Sequence, residues 1–268
     1  MYEDFFELLK EYRKDNNCFS KVFNNDSNIC YVFLSSQGIY KEAWNASQMK
    51  GSFESNRYEW QNISSNKKLL KKAKKYIFIR DIGKELYQRG INNDMDSIDK
   101  IVSFVKLETK GMDVFLVGSS SGGYLAFILS QLTNVRRVYS FGGLVSLENK
   151  STYHEVKERY AIDEKYASVE RYIGKQCIII HSFGTQNNED FFNYDILKAN
   201  NSNQCIFIPF KGCKHAPRPY ADDIIKMLCF SDSQLNRLKH KLAGRTAINQ
   251  FRFSLICGGG LTIFKRFI

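Results

Sequence analysis

Proline is scarce in this chain, with three in 268 residues, too few for a proline-rich linker or stalk. Cysteine is neither dense nor paired. The seven cysteines include no C-x-x-C spacing, which argues against a disulfide scaffold and for free thiols in a reducing compartment. No His/Cys/carboxylate set has the spacing of metal ligands, so no metal is expected. Long apolar runs are missing as well. The longest uncharged one near the C-terminus, Phe253 to Phe264, contains three glycines and is too short to span a bilayer. Basic residues are lacking where a secretory leader needs them, because the chain opens Met1-Tyr-Glu-Asp-Phe-Phe-Glu7. The cytoplasm is therefore the expected compartment. Acids, finally, are absent from Leu235 to Ile268.

What remains is an ordinary globular composition. A mass of 31.1 kDa with 43% apolar and 25% charged residues allows one large domain with a substantial core. The net charge of +11 is concentrated in two places. One is Lys67, Lys68, Lys71, Lys72, Lys74 and Lys75. The other is the acid-free tail, with Arg237, Lys239, Lys241, Arg245, Arg252, Lys265 and Arg266. Such patches suit anionic lipid, a phosphorylated cofactor or an acidic polymer, or serve only as a solvated face. Nucleic acid is not expected, since no nucleic-acid-binding motif accompanies them.

Hydrophobic periodicity predicts helices over 2–14, 67–75, 95–107, 121–132, 151–172, 190–199 and 220–230. Short apolar runs predict strands over 28–34, 76–79, 114–117, 137–141, 176–181 and 205–209. This alternation specifies an α/β class: a mainly parallel central sheet with helices on both faces, a single three-layer domain. Residues 1–230 form that domain, with a small cap at about 145–173. Residues 231–268 read as a basic amphipathic extension, in which Leu235, Leu238, Leu242, Phe251, Phe253, Leu255, Ile256, Phe264, Phe267 and Ile268 interleave with the cations. That pattern fits a peripheral membrane or partner-docking segment, or else the last elements of the core.

Chemistry concentrates at Gly118-Ser119-Ser120-Ser121-Gly122. It fits the G-x-S-x-G nucleophile elbow, and its context of apolar strand before and helix after is the one the motif requires. The elbow would lift Ser120 Oγ out of the sheet and set the Ser121 N–H at a helix N-terminus, where an oxyanion is stabilised. In open parallel sheets functional groups gather at the carboxyl ends of strands. Of the four histidines, His215 follows the last strand and is the candidate general base, with His181, at the end of a strand, as the alternative. The orienting carboxylate is expected from Glu189 or Asp190, with Asp190 preferred. The second oxyanion donor is expected from the backbone N–H of Ser36 or Gln37, with Gly38 allowing close approach.

The order Ser120, Asp190, His215 resembles the α/β-hydrolase superfamily over approximately residues 28–230, with the elbow at the fifth-strand position. Two departures stand out: Ser35-Ser36-Gln37-Gly38 replaces a His-Gly-Gly motif, and His181-Ser-Phe-Gly184 replaces a His-Gly-x-x-Asp run. More narrowly, Phe33-Leu-Ser-Ser-Gln-Gly38, Arg80-Asp81 and Val117-Gly-Ser-Ser-Ser-Gly-Gly123 are similar to divergent members from bacterial capsule and surface-polysaccharide clusters. That resemblance implies an O-acetyltransferase acting on a capsule or lipopolysaccharide glycan. It would have no permanently bound cofactor and would use acetyl-CoA as co-substrate, at the inner face of the membrane if the tail docks there. A carboxylesterase or thioesterase acting on a small ester is the alternative. A non-catalytic hydrolase-fold scaffold of a polysaccharide or secretion assembly is the second.

Overall fold

Buried strands organise the molecule. A computed structural model of the chain describes residues 2–37, 50–51, 53–54, 56–160, 164–201 and 203–258. Seven strands lie in one sheet: β1 (Cys18–Val22), β2 (Ile29–Leu34), β3 (Lys75–Ile79), β4 (Asp113–Ser119), β5 (Val135–Phe141), β6 (Ile178–Gly184) and β7 (Cys205–Phe210). Their order across the sheet is β1-β3-β2-β4-β5-β6-β7. All neighbours are parallel except β1 against β3, where Cys18 faces Ile79. The elbow therefore follows the fourth strand in chain order, not a fifth. β1 escaped the sequence reading because an edge strand with exposed Ser20 and Lys21 carries little apolar pattern.

The pleat sorts side chains by chemistry as well as by face. Cys30, Val32 and Leu34 of β2 join Val114, Leu116, Val138 and Ile179 in an aliphatic layer. Tyr31 and Phe33 join Tyr76, Phe78, Phe115, Tyr139 and Phe141 in an aromatic layer. Helices cover both. Those that matter here are α1 (Ile98–Glu108), α2 (Ser121–Leu129), α3 (Ser151–Arg159), α4 (Asn188–Asn201), α5 (Ala221–Cys229), α6 (Asp232–Leu242) and α7 (Gln250–Ile256). α1 and α2 pack on the aliphatic side, and α5, α6 and α7 on the aromatic side. α2, directly after the elbow, is buried along its whole length.

Two expected helices are shorter than their patterns implied. The lysine-rich run forms one helical turn, Lys67–Leu70, before Lys75 opens β3. Leu69 and Ala73 are buried in the core, and Leu70 packs against it half-buried. Among the described residues, the stretch read as a cap is α-helical over α3, with short 3-10 turns at Glu164–Tyr166 and Glu170–Tyr172. Its Tyr153, Tyr166, Val169 and Ile173 belong to the same aliphatic core.

The tail, through residue 258, also packs on the domain. Leu235, Leu238, Leu242 and Phe253 are buried against the aromatic layer, while Arg237, Lys241, Arg245 and Arg252 face solvent. A capping box at Ser231 and Gln234 starts α6. Gly38 and the tail residues Phe264, Lys265, Arg266, Phe267 and Ile268 lie outside the described residues. Since Leu235 is fully buried, Leu235→Ala is expected to cost about 2–5 kcal/mol of unfolding free energy. Urea denaturation checks this; a change under about 0.5 kcal/mol would separate α6 from the cooperative unit. Among the described residues no helix is long and apolar enough to cross a membrane.

Candidate active site

Ser120 sits where β4 becomes α2, with φ 49° and ψ −118°. A non-glycine residue in that region is strained by about 1–3 kcal/mol. The surrounding hydrogen bonds hold it there. Its N–H donates to the Phe141 carbonyl at 3.0 Å, and its own carbonyl accepts from the Tyr124 N–H at 3.0 Å. The flanking glycines are required by space: a Cβ on Gly118 would lie 2.3 Å from the Gly122 carbonyl oxygen, and one on Gly122 would lie 2.4 Å from the Leu34 carbonyl oxygen.

From this apex a hydrogen-bonded chain runs through residues from three separate elements. Ser120 Oγ lies 2.8 Å from His215 Nε2. His215 Nδ1 lies 2.5 Å from Asp190 Oδ1. Because Nδ1 faces a carboxylate, it carries the ring proton, which leaves Nε2 to accept from the serine hydroxyl. Asp190 is buried at the start of α4, and its Oδ2 accepts from the Gly184 N–H at 2.9 Å and the Ala216 N–H at 3.1 Å. Glu189, the rival acid, stands 3.5 Å from the same Nδ1 and is ion-paired to Lys150. The structure thus brings Ser120, His215 and Asp190 together and leaves Glu189 at the rim.

The loop bearing His215 is fastened on both sides. The Ser182 hydroxyl donates to the Pro217 carbonyl at 2.5 Å, and Gln250 Nε2 of α7 donates to the Arg218 carbonyl at 2.6 Å. A cavity of about 890 Å³ opens beside Ser120 and His215, walled by Ser36, Gln37, Tyr58, Trp60, Lys150 and Arg218 among others.

The oxyanion donors need a correction. The Ser121 N–H opens α2, where helical geometry leaves it without an intrahelical acceptor. The Ser36 N–H, however, donates to Glu59 Oε2 at 2.5 Å, because a buried carboxylate takes the nearest free donor. The Gln37 N–H donates to Ser121 Oγ at 3.1 Å. Both loop N–H groups thus have partners, but the bond of Ser36 is to a carboxylate and is the stronger, so Gln37 is the loop's candidate. Glu59, Trp60, Lys150 and Arg218 were not singled out from sequence. The one available signal was Arg218 set between Pro217 and Pro219, three residues after the histidine.

The alternative base is excluded by its surroundings. His181 is completely buried, among Phe127, Phe183 and Phe207. Its Nδ1 meets Ser140 Oγ at 3.1 Å, and it points into the core. Burial lowers its pKa to about 4 from 6.5. The unfolded chain therefore binds a proton first on acidification. Stability held by neutral His181 is complete above about pH 6.5 and is lost as pH falls toward 4. Between pH 7 and pH 5 this loss is about 2 kcal/mol. Buried Asp81 acts oppositely. Its pKa is pushed up to about 7 by burial and by Glu85, so it favours the fold increasingly as pH falls below 7. The informative quantity is therefore a difference between variants. His181→Leu is expected to lose less stability than wild type between pH 7 and pH 5 in urea titrations; equal losses would exclude His181 as the source.

The fold is that of the α/β-hydrolases. Its solved neighbours include the capsule O-acetyltransferase of Neisseria meningitidis serogroup A, with a TM-score of 0.51 at 14% identity over 75% of this chain and 86% of that one. A mutant of that enzyme in complex with CoA gives 0.51 at 13% identity over 80% and 93%. Thermogutta terrifontis esterase 2, phosphoramylated by tabun, gives 0.50 at 15% identity over 84% and 92%. At these identities what is shared is the fold. No protein-family model matches the chain, and no curated protein matches it.

Proposed function

We propose that this protein catalyses serine-dependent acyl transfer through an acyl-enzyme, as an O-acetyltransferase of a bacterial surface polysaccharide with acetyl-CoA as donor. The observation that carries the reading is the chain Ser120 Oγ, His215 Nε2, Nδ1, Asp190 Oδ1, at 2.8 and 2.5 Å. His215 takes the proton as Ser120 Oγ attacks the thioester carbonyl, then returns it to the leaving thiolate. Asp190 stabilises the imidazolium formed in between. In the second half-reaction His215 deprotonates a sugar hydroxyl, which attacks the acetyl-serine and regenerates Ser120. A cavity of about 890 Å³ is far larger than an acetyl group and leaves room for an acceptor. The exposed Arg237, Lys241, Arg245 and Arg252 give a basic face suited to an anionic glycan or lipid surface. A CoA thioester donor places the reaction in the cytoplasm.

Hydrolysis is the second reading, and one feature favours it. The His215 side chain is 28% exposed, so water reaches the base that would activate it. The test is intact-mass spectrometry of wild type and Ser120→Ala after brief exposure to acetyl-CoA and, separately, to p-nitrophenyl acetate. An acetyl adduct from acetyl-CoA on wild type alone supports the transferase. An adduct from the activated ester alone supports the esterase. No adduct from either reagent, with p-nitrophenyl acetate also left unhydrolysed, would reject serine-dependent acyl transfer and favour a scaffold.

A further inference from the structure

The loop that follows β2 lacks the His-Gly-Gly sequence that steadies an oxyanion loop in many members of this fold, and a distant segment secures it instead. Tyr58-Glu59-Trp60 grips Leu34-Ser35-Ser36 through three hydrogen bonds. Trp60 Nε1 donates to the Leu34 carbonyl at 3.1 Å, the Glu59 N–H donates to Ser35 Oγ at 3.1 Å, and the Ser36 N–H donates to Glu59 Oε2 at 2.5 Å. Trp60 adopts φ 74°, a left-handed conformation that a bulky residue holds only when its surroundings enforce it. Here they do, since the indole also packs against Phe141.

The grip extends to the other two parts of the site. The second oxygen of Glu59 is ion-paired to Arg218 Nη2. The same nitrogen donates to Ser119 Oγ at 2.9 Å, one residue before the nucleophile. The guanidinium carbon lies 4.9 Å from the Trp60 ring centroid, within the range for a cation on an aromatic face. Arg218 itself stands three residues beyond His215, on the loop held by Asp190 and Gln250. A single ion pair, buried at Glu59 but 37% exposed at Arg218, thus joins the oxyanion loop, the elbow strand and the histidine loop. The Glu59 side chain is only 8% exposed, so removing its partner would strand a buried charge.

We propose that Glu59 and Arg218 are positioning residues for acyl transfer. They hold the Leu34–Gln37 loop so that the Gln37 N–H, now resting on Ser121 Oγ at 3.1 Å, serves beside the Ser121 N–H as the second oxyanion donor. The inference rests on Ser120 being the nucleophile. Neither residue touches the reacting atoms. Their effect is geometric, and it falls on the rate of acylation rather than on substrate binding.

The experiment is stopped-flow measurement of the p-nitrophenolate burst from p-nitrophenyl acetate, with kcat and KM, for wild type, Glu59→Ala, Glu59→Gln, Arg218→Ala and the double alanine variant. Acylation is expected to fall about 100-fold in each alanine variant, with KM within threefold of wild type. Glu59→Gln keeps an oxygen for the Ser36 N–H and loses the charge, so its loss should be intermediate. The double variant should be no worse than the poorer single one, because both changes break one linkage. Urea midpoints measured alongside identify any variant that is merely unfolded, and the isosteric Glu59→Gln keeps the test alive in that event. Folded variants that acylate within twofold of wild type would overturn the positioning role alone. A wild type that releases p-nitrophenolate no faster than Ser120→Ala would overturn the assignment of Ser120, and this inference with it.

Discussion

Replacing Ser120 by alanine is expected to lower kcat/KM for any acyl substrate by about 10⁴- to 10⁶-fold and to leave the fold unchanged. The two halves of that expectation have separate causes. Ser120 Oγ is the group held 2.8 Å from His215 Nε2, and alanine leaves the imidazole with no hydroxyl to deprotonate. Rescue by a neighbour is blocked by burial. Ser119 and Ser121 are fully buried, with the hydroxyl of the first accepting from Arg218 and that of the second from the Gln37 N–H. The backbone at 120 is held by its bonds to Phe141 and Tyr124, which alanine keeps, and the φ of 49° costs alanine about what it costs serine. Initial rates with p-nitrophenyl acetate and a urea titration on the same preparation check both halves. A folded Ser120→Ala that keeps more than about a hundredth of wild-type kcat/KM would remove Ser120 from the mechanism.

The parts of this molecule that were legible in its sequence are those encoded by near neighbours in the chain. Strands buried on both faces, such as Val114 to Val117, announce themselves as apolar runs. The elbow does so through two glycines whose absent side chains are a local steric necessity. His215 could be chosen because strand order narrows four histidines to the one after the last strand. Illegible features depend on tertiary encounter. Arg218 and Glu59 are 159 residues apart, and nothing near either one in sequence anticipates the other. The tail's alternation of Leu235, Leu238 and Leu242 with cations is equally compatible with a membrane surface and with the aromatic face of a sheet. In the structure these three leucines lie against the aromatic face, which no pattern within the tail itself announces. The helical pattern over 151–172 likewise yields where Tyr166 and Val169 are drawn into the core.

Sequence favours Asp190 over Glu189 only because aspartate is the commoner residue in this role, and the second large effect distinguishes them. Asp190→Asn is expected to reduce kcat by about 10⁴-fold, with KM little altered, whereas Glu189→Gln stays within a few-fold of wild type. Asp190 uses both oxygens as acceptors, Oδ1 from His215 Nδ1 and Oδ2 from the Gly184 and Ala216 N–H groups. Asparagine has one acceptor oxygen and a donor amide. If the oxygen keeps the two backbone N–H groups, the amide faces Nδ1, which must then give up its proton and accept. The proton moves to Nε2, and the ring no longer accepts from Ser120 Oγ. If the amide is flipped, it meets two backbone donors in a fully buried pocket, at a cost of about 1–3 kcal/mol for the donors left unpaired. The first outcome removes the general base in its working tautomer; the second keeps the Nδ1 proton in place but destabilises the buried pocket, and in both the carboxylate that stabilises the imidazolium is lost. Glu189 has no such hold. Its carboxylate is one-third exposed, 3.5 Å from Nδ1 and engaged with Lys150. Burst kinetics with p-nitrophenyl acetate on the two variants give the comparison directly. A severe loss in Glu189→Gln with near-normal acylation in Asp190→Asn would exchange their roles and show that the histidine loop shifts toward Glu189 in the working enzyme.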